Sequence, residues 1–469
     1  MSEKKKFKFR VPNTYLLIFS LLILIAALTW IIPGGEYERA VIDGREVVVQ
    51  NSFKYVDSNP QGFFDLFISP LKGFVEAALI IGFILIVGGA FNVLAETDAI
   101  NSLINKLAVA HRSSSFLQKM FIPVLFFMFS LGGATFGMNE EIIPFVLILV
   151  PICLALGYDS IIGVAIPLVG AHVGFASAYL NPFNVGIAQG IADVPLFSGI
   201  GYRVICWLIS TFVAIGFLLY YMRKLSRKPE ISPMYNEDNE RRKNEHFENL
   251  YNTTNHFSVR QKLVLLTFAL SLVLIVIGVI YLGWYIEEIA AVFFIMGIAA
   301  GIIGGLKSDA LIKSFITGAK DLVGTALIVA LARATLVISR DGHIIDTVLY
   351  NLSPYIQSSS PIFASQKMFI VQSIINFFVH SGSGQAALTM PIMAPLADLA
   401  GVTRQTSILA FQLGEYTNII IPTSAVTMGA LSMAKVPWEK WAKWVIPLQI
   451  ILMLLGFLLL IPPNLFGWQ

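Results

Sequence analysis

Charged residues are scarce in this chain: 13% of its 469 residues are Asp, Glu, Lys or Arg, against about a quarter in an ordinary soluble domain. That excludes a soluble globular protein for the chain as a whole. Cysteine is rarer still. Cys153 and Cys206 both fall in apolar segments, which excludes a disulfide framework and a zinc site. There is no HExxH, no P-loop and no Ser/Lys or Ser/His pair at a recognisable spacing. No enzyme class is indicated, no catalytic residue is assigned and no resident cofactor is expected. Without a P-loop, energy must come from an ion gradient or from exchange. A net charge of +3 gives no reason to expect a nucleic-acid partner.

What is present is apolar. Hydrophobic residues make up 56% of the chain, and the mean hydropathy is +0.74. Many runs reach the roughly 20 residues that a helix needs to cross hydrocarbon. The chain reads as an all-α polytopic membrane protein with about nine transmembrane helices, at 14–33, 74–95, 159–193, 201–222, 262–284, 287–306, 317–338, 404–434 and 441–461. Two further apolar stretches, 114–157 and 361–400, are interrupted in the middle by Gly/Ser-rich polar sequence. Each fits a re-entrant hairpin, and each fits two spans joined by a buried turn.

Orientation follows Lys and Arg. Lys4, Lys5, Lys6, Lys8 and Arg10 put the N-terminus in the cytoplasm. The run that follows is too long for a signal-peptide core and reads as an uncleaved span. Segment 223–261 carries Arg223, Lys224, Arg227, Lys228, Arg241, Arg242 and Lys243 and reads as a cytoplasmic, partly mobile linker. Segment 34–61 has more acids than bases and fits the outside. Nine spans then leave the C-terminus outside.

Residues 118–122 and 366–370 both read QKMFI. At nearly the same offset Gly137 pairs with Gly384 and Pro144 with Pro391, and Gly73 pairs with Gly318 further upstream. The chain therefore reads as two homologous halves, 1–222 and 286–469, joined by 223–285, which holds the linker and an extra helix. The odd number of crossings inverts one half relative to the other. Each half runs hairpin then broken helix: 114–157 then 159–193, and 361–400 then 404–434. Inverted repeats with interrupted helices at the midplane are the architecture of secondary transporters.

Four polar stretches interrupt the apolar sequence: GGATFGMNEE (132–141), ASAYLNPFNVG (176–186), HSGSGQAALT (380–389) and GEYTNIIIPTSA (414–425). Pro182 and Pro422 are expected to break their helices, freeing carbonyls that must be buried by protein or water. Such oxygens suit a hard cation such as Na⁺, and no other metal is indicated. Candidate ion ligands are Gly133, Thr135, Gly137, Asn139, Asn181 and Asn184 in one half and Ser381, Ser383, Asn418 and Thr423 in the other. Candidate solute ligands are Thr135, Asn139, Glu140, Asn184, Ser383, Gln385, Glu415, Asn418 and Thr423. Glu140, Glu141 and Glu415 can coordinate a cation, relay a proton or face a substrate amine. Glu141 equally fits an acid at a helix N-terminus. His172 and His380 read as hydrogen-bonded packing residues. Arg333 reads as snorkelling or paired with an acid and is not assigned to the solute. Trp438, Trp441 and Trp444 read as an interfacial belt.

The segments FSLGGATFGMNEE, GFASAYLNPFNV, NFFVHSGSGQAALTMPIMAPLADLAGV, ILAFQLGEYTN and IIPTSA resemble the YfcC-type carriers of the bacterial DcuC-like (C4-dicarboxylate anaerobic carrier) family, in the ion transporter superfamily. The resemblance covers essentially the whole chain. It implies a two-hairpin inverted-repeat fold, a homodimer in the bacterial cytoplasmic membrane, and elevator-type alternating access of a mobile part against a scaffold. Substrate assignments in the family divide between C4-dicarboxylates and basic amino acids, the latter often as arginine/ornithine exchange.

The four polar stretches hold three carboxylates and no Lys or Arg. A cationic amino acid finds its counter-charge there. A dianion would need bound cations or helix N-termini, although Na⁺ on Glu140 or Glu415 would reverse the local field. The expectation is a secondary active transporter of a basic amino acid, working by exchange or coupled to Na⁺ or H⁺. Its partners are a small solute and membrane lipid. The alternatives are a cation-coupled carrier of C4-dicarboxylates or other carboxylates, and a channel. A channel needs a continuous polar path, whereas these polar groups cluster at tips and breaks.

Overall fold

The computed structural model describes residues 14–42, 45–49, 52–244, 258–282, 284–352, 354–357 and 359–468. The basic N-terminal residues and the centre of the linker lie outside them. Apolar runs become helices because a helix satisfies its own backbone where lipid offers no partner. The first of these are α1 (Thr14–Leu28), α2 (Phe63–Glu76), α3 (Ala78–Glu96), α4 (Ala99–Ser113), α5 (Ser115–Thr135), α6 (Ile143–Ala155), α7 (Ser160–Ala176), α8 (Ile187–Ile191) and α9 (Ile200–Arg227). Next come α10 (Tyr235–Asn244) and α11 (Val259–Leu282). The remainder are α12 (Ile286–Gly304), α13 (Ser308–Asp321), α14 (Val323–Asp341), α15 (Ile344–Leu352), α16 (Pro354–Gln357), α17 (Pro361–Phe378), α18 (Gly382–Leu399), α19 (Arg404–Gly414), α20 (Ala425–Met433), α21 (Trp438–Leu459) and α22 (Ile461–Phe466).

Among the described residues, six helical stretches are long and apolar enough to cross a membrane: Ala78–Glu96, Phe116–Thr135, Ile200–Arg227, Ile286–Gly304, Ser308–Asp341 and Trp438–Phe466. Large apolar side chains stay exposed along them and along α11, among them Phe212, Leu266, Leu270, Ile295 and Leu454. A rim of this kind needs a lipid partner. The chain is a multi-pass membrane protein.

Among the described residues, β-strands occur in one region. The segment between α1 and α2 forms two small antiparallel ladders, Gly35–Glu36 with Lys54–Tyr55 and Arg39–Ile42 with Arg45–Val48. The Asp-Gly pair between the AVI and EVVV runs is the sequence signal for such a pairing, and a reading by apolar runs passes over it.

Helices from the first part of the chain pack directly on helices from the later part. α2 lies against α14 so closely that a Cβ at Gly73 would overlap the Ala330 carbonyl oxygen. α13 lies against α3, where a Cβ at Gly318 would overlap the Gly88 carbonyl oxygen. Small residues of this kind let helix backbones approach in a membrane.

The linker is docked where it is described. Asp238, 1% exposed, accepts the backbone N–H (2.8 Å) and hydroxyl (3.1 Å) of Ser160 at the start of α7. Arg242 donates to the carbonyls of Leu154 (3.4 Å), in the last turn of α6, and of Tyr158 (2.5 Å) just beyond it. Arg241 donates to those of Ala434 (2.9 Å) and Lys435 (2.8 Å) beyond α20. The Leu154 carbonyl also accepts the Gly157 amide (3.1 Å), whereas the other three lie past their helix ends, where a carbonyl has no intrahelical donor. Burial pushes the Asp238 carboxyl up, against the hydrogen bonds from Ser160 and the charges of Arg241 and Arg242. Asp238→Ala would leave the Ser160 donors unpaired, at a cost of about 1–3 kcal/mol. Limited trypsin digestion should then cut segment 223–261 faster than in the wild type, and an unchanged digestion rate would count against this role for Asp238.

Candidate functional site

The first hairpin, α5–α6, carries its tip against the break that follows it. Gly137 has φ +79°, a conformation that favours glycine. A Cβ there would come within 2.6 Å of Asn181 Oδ1. The break begins at Ser177, where α7 ends, five residues ahead of Pro182. Pro182 does not interrupt a helix. It opens the next turn, Pro182–Gly186, where a missing N–H costs nothing. The unwound amides turn to the hairpin instead. Tyr179 and Leu180 both donate to the Ala134 carbonyl (3.3 and 3.2 Å), and Asn181 Nδ2 donates to that of Gly133 (3.3 Å).

The second hairpin, α17–α18, is tied to its own break by side chains. Asn376 donates to Thr417 Oγ1 (2.7 Å) and Asn418 Oδ1 (2.9 Å), and Thr423 donates to the Phe377 carbonyl (2.7 Å). α19 ends at Gly414, tightens through Glu415–Ile419 and gives way to α20. Pro422 lies in the turn between and again follows the end of the helix. The freed carbonyls of Ile419 and Ile420 accept the indole N–H groups of Trp441 and Trp438, each at 2.8 Å. Trp441 is fully buried and Trp444 is buried beside it. Trp438 and Trp441 brace the break, and the burial of Trp441 and Trp444 corrects the expectation of an interfacial belt.

The two breaks meet at Glu415. Asn184 Nδ2 donates to Glu415 Oε2 (2.9 Å) and to the Phe175 carbonyl (2.7 Å). The Glu415 side chain is fully buried, and its Oε1 has no hydrogen-bond partner. Oε1 faces the second tip, where a Cβ at Gly382 would lie 2.8 Å from it. Asn376 Oδ1 and Gln385 Oε1 are also buried without a donor. The Gln385 amide nitrogen is held by the carbonyl and Oε1 of Gln372 (2.9 and 2.8 Å). Buried acceptors without donors are costly. Three of them lie on one hairpin and its break, each an open acceptor for an ammonium group or an oxygen ligand for a cation.

The first tip carries two acids. Glu141, 6% exposed, accepts the Asn139 amide (2.8 Å) at the head of its own helical turn, the geometry of a helix N-terminal acid. Glu140 lies beside the Tyr285 hydroxyl and within electrostatic reach of Arg333. Arg333, in the middle of α14, also acts on His380 at the second tip. It pairs loosely with Glu76, Nε to Oε2 3.8 Å. The other Glu76 oxygen holds Arg340 at 2.6 Å. Arg340, Arg39, Lys72, Asp341 and Asp346 help to line a cavity of about 660 Å³ between the strand segment and the second hairpin.

Among the expected ligands, Gly133, Gly137, Asn139 and Glu140 are gathered at the first tip, and Ser381, Ser383 and Gln385 at the second. Asn181, Asn184, Glu415, Asn418 and Thr423 are buried at the breaks. Ser381 and Ser383 hydroxyls are 3.4 Å apart. Thr135 is turned aside, its hydroxyl donating to the Leu131 carbonyl (2.7 Å) within α5. The side-chain oxygens of Asn181 and Asn184 already accept the amides of Phe183 (2.8 Å) and Val185 (2.6 Å), so the first half offers fewer open oxygens than the second. His172 bonds to the Leu168 carbonyl (2.8 Å) in the interior of α7. Arg333, half-buried, is paired with an acid, one of the two readings its sequence position allows. One fully buried arginine is not among the residues the sequence singles out. Arg203, fully buried, donates to Gln412 and to Gln405 Oε1 (2.9 Å) and ties α9 to α19.

A family model described as DcuC, C4-dicarboxylate anaerobic carrier, matches residues 11–463. A protein of Escherichia coli K12 named "Putative basic amino acid antiporter YfcC" is 35% identical, with 98% of each chain covered. A protein of Haemophilus influenzae Rd is 30% identical, again over 98% of each chain. Among solved structures, the Alcanivorax borkumensis YdaH transporter, described as having an unusual topology, covers 97% of this chain and 99% of its own at TM-score 0.42 and 17% identity.

Proposed function

The chain belongs to the DcuC family of C4-dicarboxylate anaerobic carriers, a family of membrane transporters and not of enzymes, and from that premise we propose that it exchanges basic amino acids across the bacterial cytoplasmic membrane. The observation that carries this reading is Glu415, a buried carboxylate with one oxygen on Asn184 and the other without a partner, set between two broken helices and a hairpin tip. A buried carboxylate attracts a cation strongly because little water screens it. Glu140 supplies a second negative group at the other tip. The E. coli relative's name points to the same class of solute.

In this reading the two hairpins and two breaks form the mobile part of an inverted-repeat elevator, and the protein works as a homodimer. The halves are 1–222 and 286–469, the N-terminus is cytoplasmic and the C-terminus outside. The packing of α2 on α14 and of α3 on α13 supports the repeat. The oxygens of Asn376, Gln385, Asn418 and Glu415 serve the solute or a coupling Na⁺.

The test is uptake and counterflow in proteoliposomes with arginine, ornithine, lysine, succinate, fumarate and short-chain acids. Labelled arginine should accumulate against trapped unlabelled arginine or ornithine, which a channel cannot produce. Saturable succinate uptake with no response to arginine would overturn the choice of solute. Replacing Na⁺ with choline then separates Na⁺ coupling from proton coupling or pure exchange.

A further inference from the structure

We propose that Arg333 binds the carboxylate group of the transported solute, which it takes in place of Glu76. The inference rests on the transporter reading but not on the choice of solute, since amino acids and dicarboxylates both carry a carboxylate.

Arg333 lies within electrostatic reach of Glu140 at the first tip, of Tyr285 beside it and of His380 at the second tip, so its charge acts on a solute held between the tips. Its Nε is buried and makes no hydrogen bond. Its contact with Glu76, at 3.8 Å, is far longer than the roughly 2.7–2.9 Å of a charge-assisted hydrogen bond. Glu76 is already held at 2.6 Å by Arg340, so releasing Arg333 leaves Glu76 paired. A carboxylate presents two oxygens to the planar guanidinium fork and can satisfy Nε together with one terminal nitrogen.

Charge balance points the same way. The four polar stretches offer acids for the cationic groups of an amino acid and no basic side chain for its carboxylate. Arg333 is the basic residue that acts on both tips. The offset that pairs Gly73 with Gly318 sets Arg333 against Gly88. The packing of the repeat therefore does not itself call for an arginine here.

Ligand affinity of the purified protein, read from the shift in its thermal unfolding, decides the matter with L-arginine, agmatine (arginine without its carboxylate) and succinate. Arg333→Gln should weaken L-arginine binding tenfold or more and leave agmatine within twofold. Arg333→Lys, which keeps the charge and loses the fork, should fall between. Glu76→Gln removes the competitor and should tighten L-arginine. A merely structural Arg333–Glu76 staple would instead weaken every ligand in both variants. If succinate proves to be the ligand and L-arginine does not bind, the basic-amino-acid reading fails, and Arg333→Gln must then weaken succinate tenfold. Wild-type affinity for the carboxylate ligand in Arg333→Gln, an equal loss for agmatine, or a wild type that binds neither carboxylate overturns the proposal. Should Arg333→Gln not fold, the ratio of L-arginine to agmatine affinity in Arg333→Lys decides, and a wild-type ratio overturns it.

Discussion

Glu415→Gln is expected to abolish transport of the cationic solute while leaving the protein folded. Glutamine has nearly the shape of glutamate, and its amide oxygen can accept the Asn184 hydrogen bond that now ends on Oε2 at 2.9 Å. The packing around this fully buried side chain is therefore kept, and what disappears is the negative charge. Truncating one partner of a buried charge pair costs about 2–5 kcal/mol, so uptake should fall by roughly 30-fold to several thousandfold. Glu415→Asp tests the geometry as well. Its shorter side chain keeps the charge and withdraws it from Asn184, and it should retain transport at a weakened affinity. The readouts are proteoliposome uptake and thermal unfolding of the same preparation. Normal uptake by Glu415→Gln would make the residue structural and would remove the main support for a cationic solute.

The places where apolar helices stop were legible because their signal is local. Polar residues and glycines in the midst of Leu, Ile and Phe mark where a helix stops, as at 132–141 and 414–425. The reason for each stop was not legible. Proline was the visible suspect at 182 and 422, yet both helices end before it, because the Ala134 carbonyl and the indoles of Trp438 and Trp441 take up the unwound backbone. Those partners lie far off in sequence, and no spacing announces them. The same holds for the Asn184–Glu415 bond, which joins residues 231 apart. Tryptophans near a span end suit an interface on average, but a buried carbonyl in need of a donor overrides the average. The linker shows a related limit. Helix α10 is polar on all sides, so no apolar stripe foretells docking, and it is held through charged side chains on helix-end carbonyls. Gly73 and Gly318 were marked by the sequence offset that pairs them, although only the packing of α2 on α14 and α13 on α3 explains why no larger residue stands there.

The largest effect on stability is expected from Gly174→Val. Gly174 lies on α7 where it crosses α5, and a Cβ there would overlap the Ser130 carbonyl oxygen and come within 2.7 Å of the Ser130 carbonyl carbon. Both atoms are backbone and cannot swing away as a flexible side chain would. One turn earlier, a Cβ at Gly170 would approach the Phe126 carbonyl oxygen to 3.0 Å, and across the interface one at Gly133 would overlap that of Ala171. This is the close helix contact that small residues permit in a membrane. Valine would force α5 away from α7. The first hairpin tip would move with it, and the bonds from Tyr179, Leu180 and Asn181 to the end of α5 would stretch or break. Overpacking of this kind costs about 3 kcal/mol, and the lost tip-to-break bonds should add to it. Thermal unfolding of the purified protein should show a clear drop in midpoint, with transport lost in the same variant. Gly216→Ala on α9 is the control. Nothing lies within 4 Å of a Cβ at that position, and alanine favours the helix over glycine by up to about 1 kcal/mol, so stability should hold or rise slightly. If Gly174→Val were as stable as Gly216→Ala, the hairpin would not be seated on α7 through its glycines, and the tip would need another support.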